Sequence, residues 1–143
     1  MSSLPIIPLN SVVAIDIESY SPNLKTHGQQ WIGGEDHAIG VGLAFDNFSG
    51  YWGLAHTNGG NTDLPIIPYI RTLFMRPDVT LVAANFSFDL GGLQKAGAIY
   101  SIEARLEDVI TRDALIDENQ TYYSLAKIAG RRGIGAKSTE ELE

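Results

Sequence analysis

A chain of 143 residues, 44% hydrophobic and 19% charged, carries enough apolar side chains for one folded core and falls in the globular class, neither disordered nor membranous. Ten Lys and Arg against seventeen Asp and Glu leave a net charge of −7, which argues against broad charge-driven adhesion to nucleic acid but not against a site bridged by divalent cations. With no cysteine, disulfides, thiolate metal centres and cysteine nucleophiles are excluded.

The N-terminus, MSSLPIIPLN, lacks the basic and apolar regions of a signal peptide, and no apolar run approaches the roughly 18 residues of a membrane span. A cytoplasmic protein without a membrane partner is expected. The first strand is predicted over Val12 to Ile17, a continuous β-branched run that suits burial on both faces. Asp16 and Glu18 close it, and strand periodicity places both on the same side. Residues 19–35 read as a long loop in which Trp31 is the large anchor and a candidate for substrate contact.

Two β-prone runs, His37 to Phe45 and Gly50 to Ala55, flank the polar connection DNFS and predict a hairpin, completing a three-stranded meander. Asp63 is a candidate cap for a helix that begins near Pro65, is delayed by Pro68 and ends near Met75. Val79 to Asn85 is the fourth strand, and FSFDLGGLQKAG follows as a helix stopped at Gly97, with Phe88, Leu90 and Leu93 as its apolar contacts. A short fifth strand lies within AIYSIEARLEDV, and two short helices follow in VITRDALIDENQ and TYYSLAKIAG. Asp108 is expected to cap the first of these, Asp113 and Asp117 to line a solvated face, and RRGIGAKSTEELE to be mobile. Arg131, Arg132 and Lys137 either meet a phosphate backbone or keep the tail soluble. His27, His37 and His56 have no metal-ligand spacing and read as surface or hydrogen-bonding residues, while Trp52 reads as core.

A meander followed by alternating helices and strands predicts a single α/β domain over residues 1–143, with a five-stranded mixed sheet flanked by helices. Functional groups collect at the C-terminal ends of parallel strands, so Asp16 and Glu18 are expected to meet Asn85 and Asp89 at one edge. Three carboxylates without basic partners repel one another unless cations join them, and hard oxygen donors suit Mg²⁺ or Mn²⁺. Two such ions roughly 4 Å apart support in-line hydrolysis of a phosphodiester.

DIES (Asp16 to Ser19) resembles the D-x-E first motif of DEDD-type, DnaQ-like 3′–5′ exonucleases, and NFSFD (Asn85 to Asp89) resembles their N-x-x-F-D second motif. EDVITRDALIDENQTYYSLAKIAG and the loop YSPNLKTHGQQWI are similar to the proofreading domains of phage family A DNA polymerases. The resemblance covers about Val12 to Lys137. It implies an RNase H-like fold and metal-dependent hydrolysis at a single-stranded 3′ end of DNA, in a host cytoplasm, beside the polymerase domain of the same chain. It implies that Asp16 and Glu18 hold the water-activating ion, with Asp16 shared. Asp89 would hold the second ion partly through water, Asn85 would lie near the 3′ nucleotide, and Phe88 would pack the helix onto the sheet.

The third motif, Y-x-x-x-D or H-x-x-x-D, is not found after Lys127. Either a fragment of a longer polymerase or a naturally truncated protein is expected, weak or inactive as it stands. The alternatives are a non-catalytic exonuclease-like domain that binds nucleic acid or a protein, and a free-standing RNA-trimming exonuclease.

Overall fold

The computed structural model describes residues 3–135. Its strands are β1 (Val12–Tyr20), β2 (His37–Phe45), β3 (Phe48–Gly53), β4 (Thr80–Ala83) and β5 (Arg105–Asp108). Its helices are α1 (Leu24–His27), α2 (Ile66–Phe74), α3 (Phe86–Lys95), α4 (Val109–Ile116) and α5 (Leu125–Arg131). The strands form one sheet in the order β3-β2-β1-β4-β5. β1, β2 and β3 pair antiparallel, whereas β4 runs parallel to β1 and β5 parallel to β4. This is the expected α/β, RNase H-like arrangement of meander and parallel half. Among the described residues no helix is long and apolar enough to cross a membrane.

β1 is central, yet it is not buried on both faces. Val13, Ile15 and Ile17 point into the core, whereas Val12, Ala14, Asp16 and Glu18 are exposed. The reason is that α2 and α3 share one side of the sheet: Ile66, Ile70, Leu73 and Phe74 from α2, and Phe86 and Leu93 from α3, form one core with the inward residues of β1, β2 and β4. Each such side chain contributes about 1.5 to 3 kcal/mol on burial. Phe86 thus joins Leu93 in the core, while Phe88 and Leu90 are only partly buried.

Several local expectations change. The β2–β3 turn is the tight Asp46–Asn47 pair, with Asp46 at φ 47°, a left-handed conformation that a short polar side chain tolerates. β3 therefore begins at Phe48, ahead of Gly50. β1 runs on to Tyr20, and the following loop holds one helical turn, α1. Asp63 does not cap α2: Pro65 holds that position, and Pro68 lies in the first turn, where its missing N–H leaves no hydrogen bond unmade.

Asp113 is buried and paired with Arg131 at 2.5 Å and Arg132 at 2.9 Å, so the expected solvated face instead ties α4 to α5. Those two arginines are thereby committed to structure, and Lys137 lies outside the described residues. Asp117, half-buried, accepts hydrogen bonds from Asn119 and Gln120 rather than facing open solvent.

Asp108 caps α4, as its position predicts, and it also closes the β4–α3 junction. Its carboxylate accepts from the N–H groups of Ile110 and Thr111, and from those of Asn85 (3.2 Å) and Phe86 (2.8 Å). Burial opposes its charge, but these backbone donors outweigh burial and hold its carboxyl below the usual range. Asp108→Ala should therefore lower stability by about 2 kcal/mol, read as a shift in the urea midpoint. Asp108→Asn, which keeps an acceptor, should cost less. An unchanged midpoint in the alanine variant would show that the junction does not depend on this cap.

Candidate active site

β1 outruns β4. The two pair from Val12–Thr80 through Ala14–Val82, after which β1 continues with β2 alone. Along the freed edge the Ile17 N–H donates to Asp89 Oδ1 at 3.2 Å, a buried contact. Asp89 reaches it because α3 starts directly after β4, the chain turning at Asn85 through a left-handed φ of 59°. Asp89 shares a face of α3 with buried Gly92 and Leu93. The helix sits so close that a Cβ on Gly92 would fall 2.4 Å from Ile17 Cδ1.

The open face carries the other two acids. Asp16 and Glu18 are exposed there, side by side along β1, and neither is ion-paired among the described residues. Their partners on β2 are Gly42 and Gly40, so a strip without side chains runs beside them. Tyr51 of β3, opposite Gly42, lies across Gly40, with its hydroxyl 2.7 Å from His56 Nε2. Burial first, then the charge of Glu18, raises the Tyr51 phenol above its ordinary value. Alongside lies an open cavity of about 380 Å³ bordered by Asp16, Ala14 and Ala44 and overhung by Val109 and Leu125.

Electrostatics link the two sides of β1. Burial pushes the Asp89 carboxyl up to about 7; the Ile17 N–H works against this, and the charges of Asp16 and then Asp108 reinforce it. Asp16 therefore acts on Asp89. Even so, no three carboxylate or imidazole groups among the described residues converge closely enough to enclose an ion. Asp16 and Glu18 offer hard, uncompensated oxygens and fit one Mg²⁺, which binds through one or two carboxylates and keeps several waters. A second ion at Asp89 finds no convergent ligand set among the described residues.

The remaining expected residues separate into backbone and packing roles. Asn85 occupies the left-handed turn that starts α3, and its exposed side chain accepts from the Ser87 hydroxyl at 3.3 Å. Phe88 meets Trp31 edge to face, with ring centroids 5.1 Å apart. Trp31 also covers Gly91, where a Cβ would fall 2.3 Å from its ring, and its Nε1–H donates to Gln29. It fastens the β1–β2 loop onto α3, on the covered side of the sheet. Trp52 is buried as expected.

Tyr51 and His56 were not singled out in the sequence as site residues. The signal lay in GYWG, where buried Trp52 forces Tyr51 onto the opposite face, and in GVG, whose two glycines bare the strip beside Asp16 and Glu18.

No protein-family profile and no curated protein sequence matches the chain. Solved structures do. Brucella melitensis NrnC with bound Mg²⁺ superposes with a TM-score of 0.67 at 16% identity, over 98% of this chain and 61% of that one. The Aedes aegypti Nibbler EXO domain gives 0.62 at 16% identity, over 92% and 63%. A chain in the structure of the yeast NOT1 MIF4G domain co-crystallised with CAF1 gives 0.58 at 14% identity, over 91% and 71%. The chain thus spans under two thirds of the first two, and likeness at such identity establishes the fold.

Asp89 makes the site sensitive to pH. Its folded pKa lies above the unfolded value, so between about pH 4 and 7 the folded state binds the extra proton and stability falls as pH rises. Metal-free protein should lose at most about 4 kcal/mol over that window, read from urea midpoints at successive pH values. Asp89→Asn, which keeps the acceptor for Ile17, should flatten the profile. An equal slope in the variant would assign the effect to other groups.

Proposed function

We propose that the chain is a metal-dependent 3′–5′ exonuclease domain that releases a nucleoside 5′-monophosphate from a single-stranded 3′ end. One observation carries this reading: Asp16 and Glu18 stand together, uncompensated, on the open face at the end of the central strand. Two adjacent carboxylates with no cationic partner among the described residues offer hard oxygen ligands to a divalent cation. The Mg²⁺ bound to the NrnC neighbour and the EXO domain among the solved structures support the same chemistry.

In this reading Asp16 and Glu18 hold Mg²⁺ or Mn²⁺. The ion, when bound, supplies Lewis-acid polarisation of the phosphoryl oxygen and a more acidic water. The chain's own residues do the positioning. β1, locked between β2 and β4, keeps the two carboxylates at strand spacing. Gly42 leaves room for the phosphate backbone beside Asp16, while the Tyr51 phenol fills the space over Gly40. Asp89 lies behind β1 with its carboxyl raised to about 7 and would join a second ion only through water, and Asn85 lies at the start of the same helix.

The finer reading is the proofreading domain of a phage family A DNA polymerase, with the polymerase domain as its partner and DNA replication as its setting. It rests on the order of DIES, NFSFD and SLAKIA in the sequence. A second reading, a non-catalytic domain that binds a nucleic acid or a protein, is favoured by the lack of a three-ligand cluster among the described residues.

The test is cleavage of a 5′-labelled single-stranded DNA with Mg²⁺, Mn²⁺ or EDTA. Metal-dependent shortening from the 3′ end is expected, reduced to the EDTA background in Asp16→Asn with Glu18→Gln, while circular dichroism and thermal midpoint show a retained fold. Undiminished shortening by the double variant would overturn the assignment. A folded wild-type chain that does not cleave would favour a catalytically incomplete exonuclease domain or the binding domain.

A further inference from the structure

A phosphodiester that approaches the trough meets carboxylates on a chain of net charge −7. Among the described residues no lysine or arginine borders either cavity on this face, the one beside Asp16 or the one of about 300 Å³ lined by Tyr20, His37 and His56. A bound ion neutralises charge, and the donors that these described residues offer to the remaining phosphate oxygens are neutral or imidazole groups.

The position of the Tyr51 hydroxyl is built into several elements. Gly40 pairs directly with Glu18 across β1 and β2. A Cβ on Gly40 would fall 1.7 Å from the Tyr51 hydroxyl oxygen, so the phenol occupies the place of the missing side chain. Directly opposed Cβ positions in an antiparallel pair lie about 4.5 to 5.5 Å apart. The hydroxyl, 1.7 Å from that missing Cβ position, therefore stands roughly 3 to 7 Å from Glu18 Cβ.

His56 is placed as deliberately. Its N–H donates to Asn61 Oδ1 at 2.7 Å, and Asn61 Nδ2 donates back to its carbonyl at 3.0 Å, which clamps the loop after β3. Gly53 makes room beneath it, since a Cβ there would lie 2.8 Å from His56 Cδ2. The imidazole then meets the phenol oxygen at 2.7 Å.

Resting on the exonuclease reading, we propose that Tyr51, polarised by His56, is a phosphate-contacting residue of this site. Its hydroxyl donates to a non-bridging oxygen of the 3′-terminal phosphodiester held at Glu18. His56 presents Nε2–H and donates to the phenol oxygen, which strengthens the phenol as a donor. A neutral donor suits the place because a lysine or arginine there would pair with Glu18 and compete with the metal.

The experiment measures binding of thymidine 5′-monophosphate, a product of the proposed reaction, by calorimetry with and without Mg²⁺, beside cleavage of the single-stranded DNA. Mg²⁺-dependent binding by the wild type is expected. Tyr51→Phe should weaken nucleotide binding about tenfold, as expected for a hydrogen bond to a charged group, and leave the affinity for Mg²⁺ alone and the thermal midpoint unchanged. His56→Ala should weaken nucleotide binding in the same direction, and reads the same interaction without altering the ring on β3. Cleavage kinetics should show the loss in both variants.

Mg²⁺-dependent binding and cleavage that depend on Asp16 and Glu18, but are equal in wild type, Tyr51→Phe and His56→Ala, would overturn the role of Tyr51 and leave the exonuclease reading intact. Absence of both binding and cleavage in the folded wild type would overturn the two together.

Discussion

The site depends on a mismatch in strand length. β1 extends to Tyr20, whereas its ladder with β4 stops at Ala14. An N–H group buried on the freed edge costs about 1 to 3 kcal/mol if left without a partner. Asp89 supplies the acceptor for Ile17, and this contact draws the first turn of α3 against the strand at the point where Asp16 and Glu18 emerge on the other side. The same step that completes the backbone hydrogen bonding brings the third acid to the edge of the site.

The close approach of α3 follows from small residues. Gly92 admits Ile17, and Gly91 admits Trp31, so the helix lies nearer the sheet than side chains at those positions would allow. The cost falls on Asp89, whose burial raises its carboxyl to about 7. The proposed ion would offset that cost by favouring the charged form. Asp108 steadies the arrangement from the neighbouring strand by closing the junctions into both α3 and α4.

The two faces of the sheet divide the labour. One packs α2 and α3 and supplies the core; the other carries Asp16, Glu18, the bare Gly42, and the Tyr51–His56 pair lying over Gly40. The irregular pairing between Glu18 and Ser19 lies at the same place. Such bulges re-aim side chains at the ends of pairing, here sending Tyr20 and His37 to the far side of the trough, with ring centroids 5.3 Å apart.

What the sequence by itself determined was local. Strand periodicity placed Asp16 and Glu18 on one face, the run of β-branched residues marked β1, Gly97 stopped α3 with its φ of 80°, and Asp108 capped α4. These follow from chain geometry within a few residues, so they are written in the order of side chains. The tertiary structure decided which face of β1 stays open, that Asp113 is buried between two arginines, that Trp31 lies on the covered side against α3, and that Tyr51 and His56 stand beside Glu18. Each of these depends on partners from distant segments, which local periodicity does not encode: an apolar run can be buried on one side or two, and only the packing of α2 and α3 on the same side settles which.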